Sequence, residues 1–135
     1  HIEHHPIPYE ICIIRTRKKP YRILSLVWGE LRVLDAPIST GGIFWFCFKN
    51  DNWYVFRNLT SGTFLGQGTT GKILATKRNH GVEEYFVPIR QEGGGFILHT
   101  FHPKETELWQ VAIAEGKNEG PLIEEKERGT AWDFI

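Results

Sequence analysis

The sequence contains no methionine and only two cysteines. It has no apolar run near the roughly 18 residues that a membrane-spanning helix needs. Its longest apolar stretch, Gly42-Gly-Ile-Phe-Trp-Phe-Cys-Phe48, has the length of a strand. Two cysteines make no disulfide scaffold. Cys12 and Cys47 lie in apolar runs and read as two buried thiols, with one disulfide as the alternative. Neither charge sign is in excess, since 16 Lys and Arg balance 16 Asp and Glu. That disfavours a globally basic nucleic-acid surface and an acidic disordered tail. Helical periodicity is missing as well. The best candidate, residues 104–119, alternates at its centre, with Leu108, Gln110 and Ala112 set against Trp109, Val111 and Ile113. Period two with β-branched and aromatic residues is a strand signal. Gly-x-Ser-x-Gly, Cys-x-x-Cys and a complete phosphate-binding loop are all absent. Gly66–Lys72 looks superficially like a nucleotide loop, but neither Ser nor Thr follows Lys72 and no helix pattern comes after it. These absences lead to the expectation of a protein that is not an enzyme and needs no cofactor or metal.

What is present is turn punctuation and short strands. The 135 residues suit one domain, and 14 Gly with 7 Pro interrupt the backbone too often for long helices. Twelve segments read as strands. They are Tyr9–Thr16, Tyr21–Val27, Leu31–Leu34, Ile43–Phe48, Trp53–Arg57, Thr63–Leu65, Ile73–Thr76, Glu84–Ile89, Phe96–Phe101, Leu108–Ala114, Leu122–Glu125 and Trp132–Ile135. The strands group in fours, in repeats of about 9–48, 53–89 and 95–135. Each repeat closes on paired aromatics: Phe44-Trp45-Phe46, Tyr85-Phe86 and Trp132-Asp133-Phe134. A four-strand unit cannot cover its own apolar face, so three such units are expected to pool Trp45, Phe86 and Trp132 in one interior. Residues 1–8, opening His1-Ile-Glu-His-His5, read as an N-terminal extension or tag remnant ahead of a single domain over 9–135.

This pattern resembles the β-trefoil superfamily, in particular the ricin-B-like lectins and the fungal trefoil lectins and protease inhibitors. The resemblance rests on Trp53-Tyr-Val-Phe-Arg-Asn-Leu-Thr-Ser-Gly-Thr-Phe-Leu65, a strand, a Ser-Gly turn and a second strand. Phe56, Leu59 and Leu65 are expected to point inward. Ala131-Trp-Asp-Phe134 is similar to the family's repeat-ending aromatic element, with Glu84-Tyr85-Phe86 and Phe44-Trp45-Phe46 as weaker counterparts. The fold class expected is all-β, a β-trefoil of three pseudo-repeats with four strands each.

Two functions follow from the resemblance. The first is non-catalytic carbohydrate binding through shallow loop sites, with glycans or glycoproteins as partners. Sugar hydroxyls need bidentate donors and acceptors, and the apolar sugar face needs an aromatic platform. The residues that could supply these are Gln67, Asn79, His80 and Trp109, although Gly66-Gln67 stands where the family carries an Asp. The alternative is protease inhibition through an exposed loop bearing Arg17, Lys18 and Lys19, stiffened by Pro20. Residues 1–60 carry eight Lys and Arg against five Asp and Glu, so the stretch from Arg15 to Arg22 is a small positive patch. Nucleic acid and membrane insertion are disfavoured. His1 could chelate copper through its amine and ring, while His99 and His102 read as a strand-edge pair. Localisation stays open between cytoplasmic and secreted.

Overall fold

The computed structural model describes residues 3–38, 41–114, 116 and 119–135. His1, on which the copper reading depends, lies outside them. The described residues form thirteen strands: β1 Ile11–Thr16, β2 Ile23–Val27, β3 Glu30–Leu34, β4 Gly41–Gly42, β5 Phe44–Asn50, β6 Trp53–Asn58, β7 Phe64–Gln67, β8 Ile73–Lys77, β9 Phe86–Arg90, β10 Phe96–His102, β11 Glu107–Ile113, β12 Leu122–Glu125 and β13 Ala131–Phe134. No helix among them is long and apolar enough to cross a membrane.

Six strands close a ring of antiparallel pairs: β1–β5, β5–β6, β6–β9, β9–β10, β10–β13 and β13–β1. Closure leaves the barrel without a free edge. Six of the other seven strands form three hairpins, β2–β3, β7–β8 and β11–β12, each paired to the opening strand of its own repeat, and the short β4 pairs with β2. The hairpins also touch one another, through Lys72 bridged to Ile123 and the Val33 N–H donating to the Glu119 carbonyl at 2.9 Å. This is the β-trefoil: three repeats, each giving two strands to the barrel and two to the cap.

The register makes the repeats superimposable. Cys12 lies opposite Trp45, Tyr54 opposite Phe86, and Phe96 opposite Trp132. Period two along each opening strand then makes Ile14, Phe56 and Leu98 equivalent. Trp45, Phe86, Trp132, Ile14 and Phe56 are fully buried, and Leu98 nearly so, all in one apolar cluster. One step further the inward residues turn polar: Thr16, Asn58 and Thr100, all buried. Thr16 and Thr100 are tied to the hairpin of their own repeat, and Asn58 to β4 of repeat one. Thr16 Oγ1 accepts from the Arg22 N–H at 2.9 Å. Asn58 Nδ2 donates to the Gly42 carbonyl at 3.2 Å, and Thr100 Oγ1 lies 3.4 Å from the Trp109 carbonyl. The barrel is therefore apolar at its centre and hydrogen-bonded where it meets the caps.

Some sequence expectations change. Leu59 is 47% exposed, because Asn58 takes the inward position and accepts the N–H groups of Thr60 and Ser61 on its side-chain oxygen. The first strand begins at Ile11 because Tyr9 adopts φ 67, which breaks extended geometry. Residues 82–84 form a 3-10 turn, so the strand expected from Glu84 starts at Phe86. Cys12 and Cys47 are free and buried, and burial pushes both thiols up to about 12. Residues ahead of β1 pack on the barrel. The Phe134 N–H donates to the His4 carbonyl at 2.9 Å, and Glu3 pairs with Arg90.

Candidate functional site

Two features stand apart from the packed core. The first is the seam between repeats two and three. Trp53 opens β6 and Tyr85 precedes β9, so the β6–β9 pairing brings their rings together, stacked with centroids 5.8 Å apart. Phe101, on β10, adds a third ring 5.2 Å from Trp53. All three are half-buried. Gln67 ends β7 and reaches across the seam, its Nε2 donating to the Phe101 carbonyl at 3.0 Å. His80 lies in the turn after β8, exposed, with its ring 5.1 Å from Phe64 and 6.3 Å from Tyr85. Asn79, beside it, is exposed. The structure thus gathers Gln67 and His80 around an aromatic surface that none of the proposed sugar residues supplies. By sequence, Trp53 reads as the first residue of a strand and Tyr85 as part of a repeat-closing aromatic pair; nothing local marks them as neighbours.

Trp109 belongs elsewhere. It is paired directly with Thr100, so the two share a face of the β10–β11 ribbon, while Phe101 points to the opposite face. Its ring lies 4.9 Å from His102 and 5.4 Å from the Lys126 ammonium, and its Nε1 donates to Glu107 at 3.2 Å. Beneath it Glu124 accepts from the Thr100 hydroxyl and sits 2.9 Å from His102 Nε2. By sequence, Glu124-Glu-Lys-Glu-Arg128 is mixed in sign and reads as a solvated hairpin. The β11–β12 pairing instead turns the Glu124 side chain inward to 4% exposure. His99 is buried with Nδ1 3.0 Å from the Ile97 carbonyl, so it does not pair with His102 at a strand edge. Among the described residues no three His, Cys, Asp or Glu side chains gather as a metal site.

Below the seam Glu84 is 3% exposed. Its Oε1 accepts from the Gly81 N–H at 2.8 Å and its Oε2 lies 4.0 Å from Lys77 Nζ. Gly66 is required beneath it, because a Cβ there would come 2.7 Å from Glu84 Oε2. Burial raises the Glu84 carboxyl above its ordinary 4.5, outweighing the Gly81 N–H and the Lys77 charge. The folded state therefore holds this proton more tightly than the unfolded chain. The stabilisation is full below pH 4.5 and is lost as pH rises through the elevated folded value. Glu84→Gln keeps the acceptor and removes the charge. Its melting temperature is expected to exceed that of the parent at pH 7 and to match it near pH 4; a lower value at pH 7 would mean that the ionised form is the stabilising one.

The second feature is a cleft of about 800 Å³ between the β1–β2 loop and the β9–β10 turn. Arg17, Lys18 and Lys19 line it; Lys18 and Lys19 are exposed and Arg17 is half-buried. Arg15 Nη2 and Arg17 Nη1 both donate to Asp133 Oδ2, at 3.0 and 3.3 Å, and Asp133 itself is buried. This basic loop forms the wall of a concavity and shares no surface contact with Gln67 or His80 among the interactions described.

No protein-family profile matches the chain, and no curated protein matches it in sequence. Solved structures do match its fold. It superimposes on Cry35Ab1 with a TM-score of 0.73 at 9% identity, over 96% of this chain and 36% of that one. A designed threefold-symmetric protein, ThreeFoil, gives 0.70 at 13% identity, over 93% and 97%. SeviL, solved bound to asialo-GM1 saccharide, gives 0.67 at 12% identity, over 93% and 95%. A GH43 beta-1,3-galactosidase gives 0.73 at 17% identity, over 98% of this chain and 28% of that one. The chain thus has the β-trefoil fold, and it spans about a third of Cry35Ab1 and less of the galactosidase.

Proposed function

We propose that this protein binds neutral glycans without altering them, at the seam formed by Trp53, Tyr85, Phe101, Gln67 and His80. The observation that carries this reading is the stacked, half-exposed Trp53–Tyr85 pair with a side-chain amide and an imidazole at its edge. Such rings offer a flat apolar surface to the C–H face of a pyranose, and the polar groups offer hydrogen bonds to its hydroxyls. Gln67 has its amide oxygen and a second amide hydrogen to spare for a ligand. Binding is favoured over hydrolysis because glycoside cleavage requires two carboxyl groups flanking the bond. At the seam the buried Glu84 is committed to Gly81. Two fold neighbours support the carbohydrate class, one solved with a saccharide and one described as a galactosidase.

The test is a panel of galactose-terminated and other neutral oligosaccharides, followed by titration calorimetry on the best ligand. Trp53→Ala is expected to weaken binding about tenfold, the scale of one lost stacking contact plus its buried area. Gln67→Ala is expected to weaken it by a smaller factor. Failure of every neutral glycan at millimolar concentration, or unchanged affinity in both variants, rejects this site.

A further inference from the structure

We infer that the cleft between the β1–β2 loop and the β9–β10 turn binds an anionic polysaccharide, one bearing sulfate or carboxylate groups. This inference does not rest on the aromatic seam. Arg17, Lys18, Lys19 and Arg22 line the cleft, Ile97 and Ile113 contribute apolar surface, and no carboxylate lines it among the described residues. A volume of about 800 Å³ suits a few sugar rings.

The positive wall is built into the fold. Arg15 and Arg17 share one buried carboxylate oxygen of Asp133, so two cations are held against one anion and the excess charge stays at the cleft. The opposite turn is shaped to the Arg17 guanidinium. Gly94 has φ +95, and a Cβ there would come 2.6 Å from Arg17 Nη2, so only glycine lets the guanidinium lie against that backbone. A fixed guanidinium presents paired donors to a sulfate or carboxylate at reduced entropic cost. Lys18 and Lys19, exposed beside it, extend the positive surface along the cleft.

The lining also separates polysaccharide from nucleic acid. Single strands are gripped by aromatic platforms under the bases. No aromatic residue lines this cleft among the described residues, and Tyr21 nearby is covered by the Arg15 guanidinium, 4.0 Å from its ring centre. Aliphatic Ile97 and Ile113 suit the C–H face of a sugar instead.

The experiment measures binding of the whole chain to dextran sulfate, polygalacturonate, unsulfated dextran and oligothymidylate. Dextran sulfate, polygalacturonate or both are expected to bind, with affinity falling about tenfold or more between about 50 and 200 mM salt, as counterion release demands. Unsulfated dextran is expected not to compete for this cleft. The double variant Lys18→Glu/Lys19→Glu, changed only at exposed positions, is expected to keep the parental melting temperature and to lose at least about tenfold in affinity. Trp53→Ala is expected to leave this binding unchanged, which separates it from the seam. The inference is overturned if neither polyanion binds at low salt, or if the double variant binds them like the parent. It is also overturned if oligothymidylate binds as tightly, which would make the cleft a nucleic-acid groove.

Discussion

Phe86→Ala is expected to destabilise the protein by about 3–5 kcal/mol, measured by urea unfolding. Phe86 is fully buried and takes the place that Trp45 and Trp132 hold in the other two repeats. Its ring lies 6.1 Å from Phe56, which stacks in turn on Phe134 at 5.5 Å, so one side chain links repeat two to repeat three through the barrel axis. Its backbone is fixed as well, paired to Tyr54 on one side and Thr100 on the other. A barrel held on both sides cannot collapse to fill the void, and the cost of truncation grows with the cavity left behind. A loss below about 1 kcal/mol would mean that the three closers do not share a load-carrying interior.

Asp133→Ala is the second large effect, at about 2–4 kcal/mol. Breaking a fully buried ion pair costs about 3–5 kcal/mol because the surviving charge is stranded. Here the surviving Arg15 and Arg17 side chains are 25% and 32% exposed and reach water in part, which reduces the penalty. Asp133→Asn keeps an acceptor of the same shape and should fall between the parent and Asp133→Ala. The same unfolding measurement reads all three proteins; an Asp133→Ala stability within about 0.5 kcal/mol of the parent would show that the carboxylate is dispensable.

Much of this architecture is legible along the chain. Strands such as β1 announce themselves because Cys12, Ile14 and Thr16 alternate with more exposed neighbours. The closers announce the repeat because Trp45, Phe86 and Trp132 recur at a spacing set by four strands and their turns. The misses have particular causes. Leu59 read as core because it is apolar, whereas the inward place went to Asn58. The partner that makes that burial tolerable, the Gly42 carbonyl, lies 16 residues away. Glu84 read as strand because it adjoins a strand, yet its carboxylate folds back on Gly81 and holds the backbone in a turn. Glu124 read as solvated because its neighbours are charged, while the β11–β12 register turned it onto Thr100 and His102. Trp28 stands 83% exposed at φ 50 in the β2–β3 turn, a backbone region that bulky side chains rarely adopt.

The sequence by itself determined that this protein is a threefold arrangement of short strands around shared aromatics. Alternation and turn chemistry act over a few residues, and three units with one-sided apolar faces have few ways to bury them. Tertiary structure alone decided which surfaces exist. Only strand pairing placed Trp53 on Tyr85, put Trp109 on the far side of its ribbon from Phe101, and set Arg15 and Arg17 on Asp133 more than a hundred residues away. Such contacts depend on register between distant strands, and a shift of one residue would turn every one of those side chains to the other face.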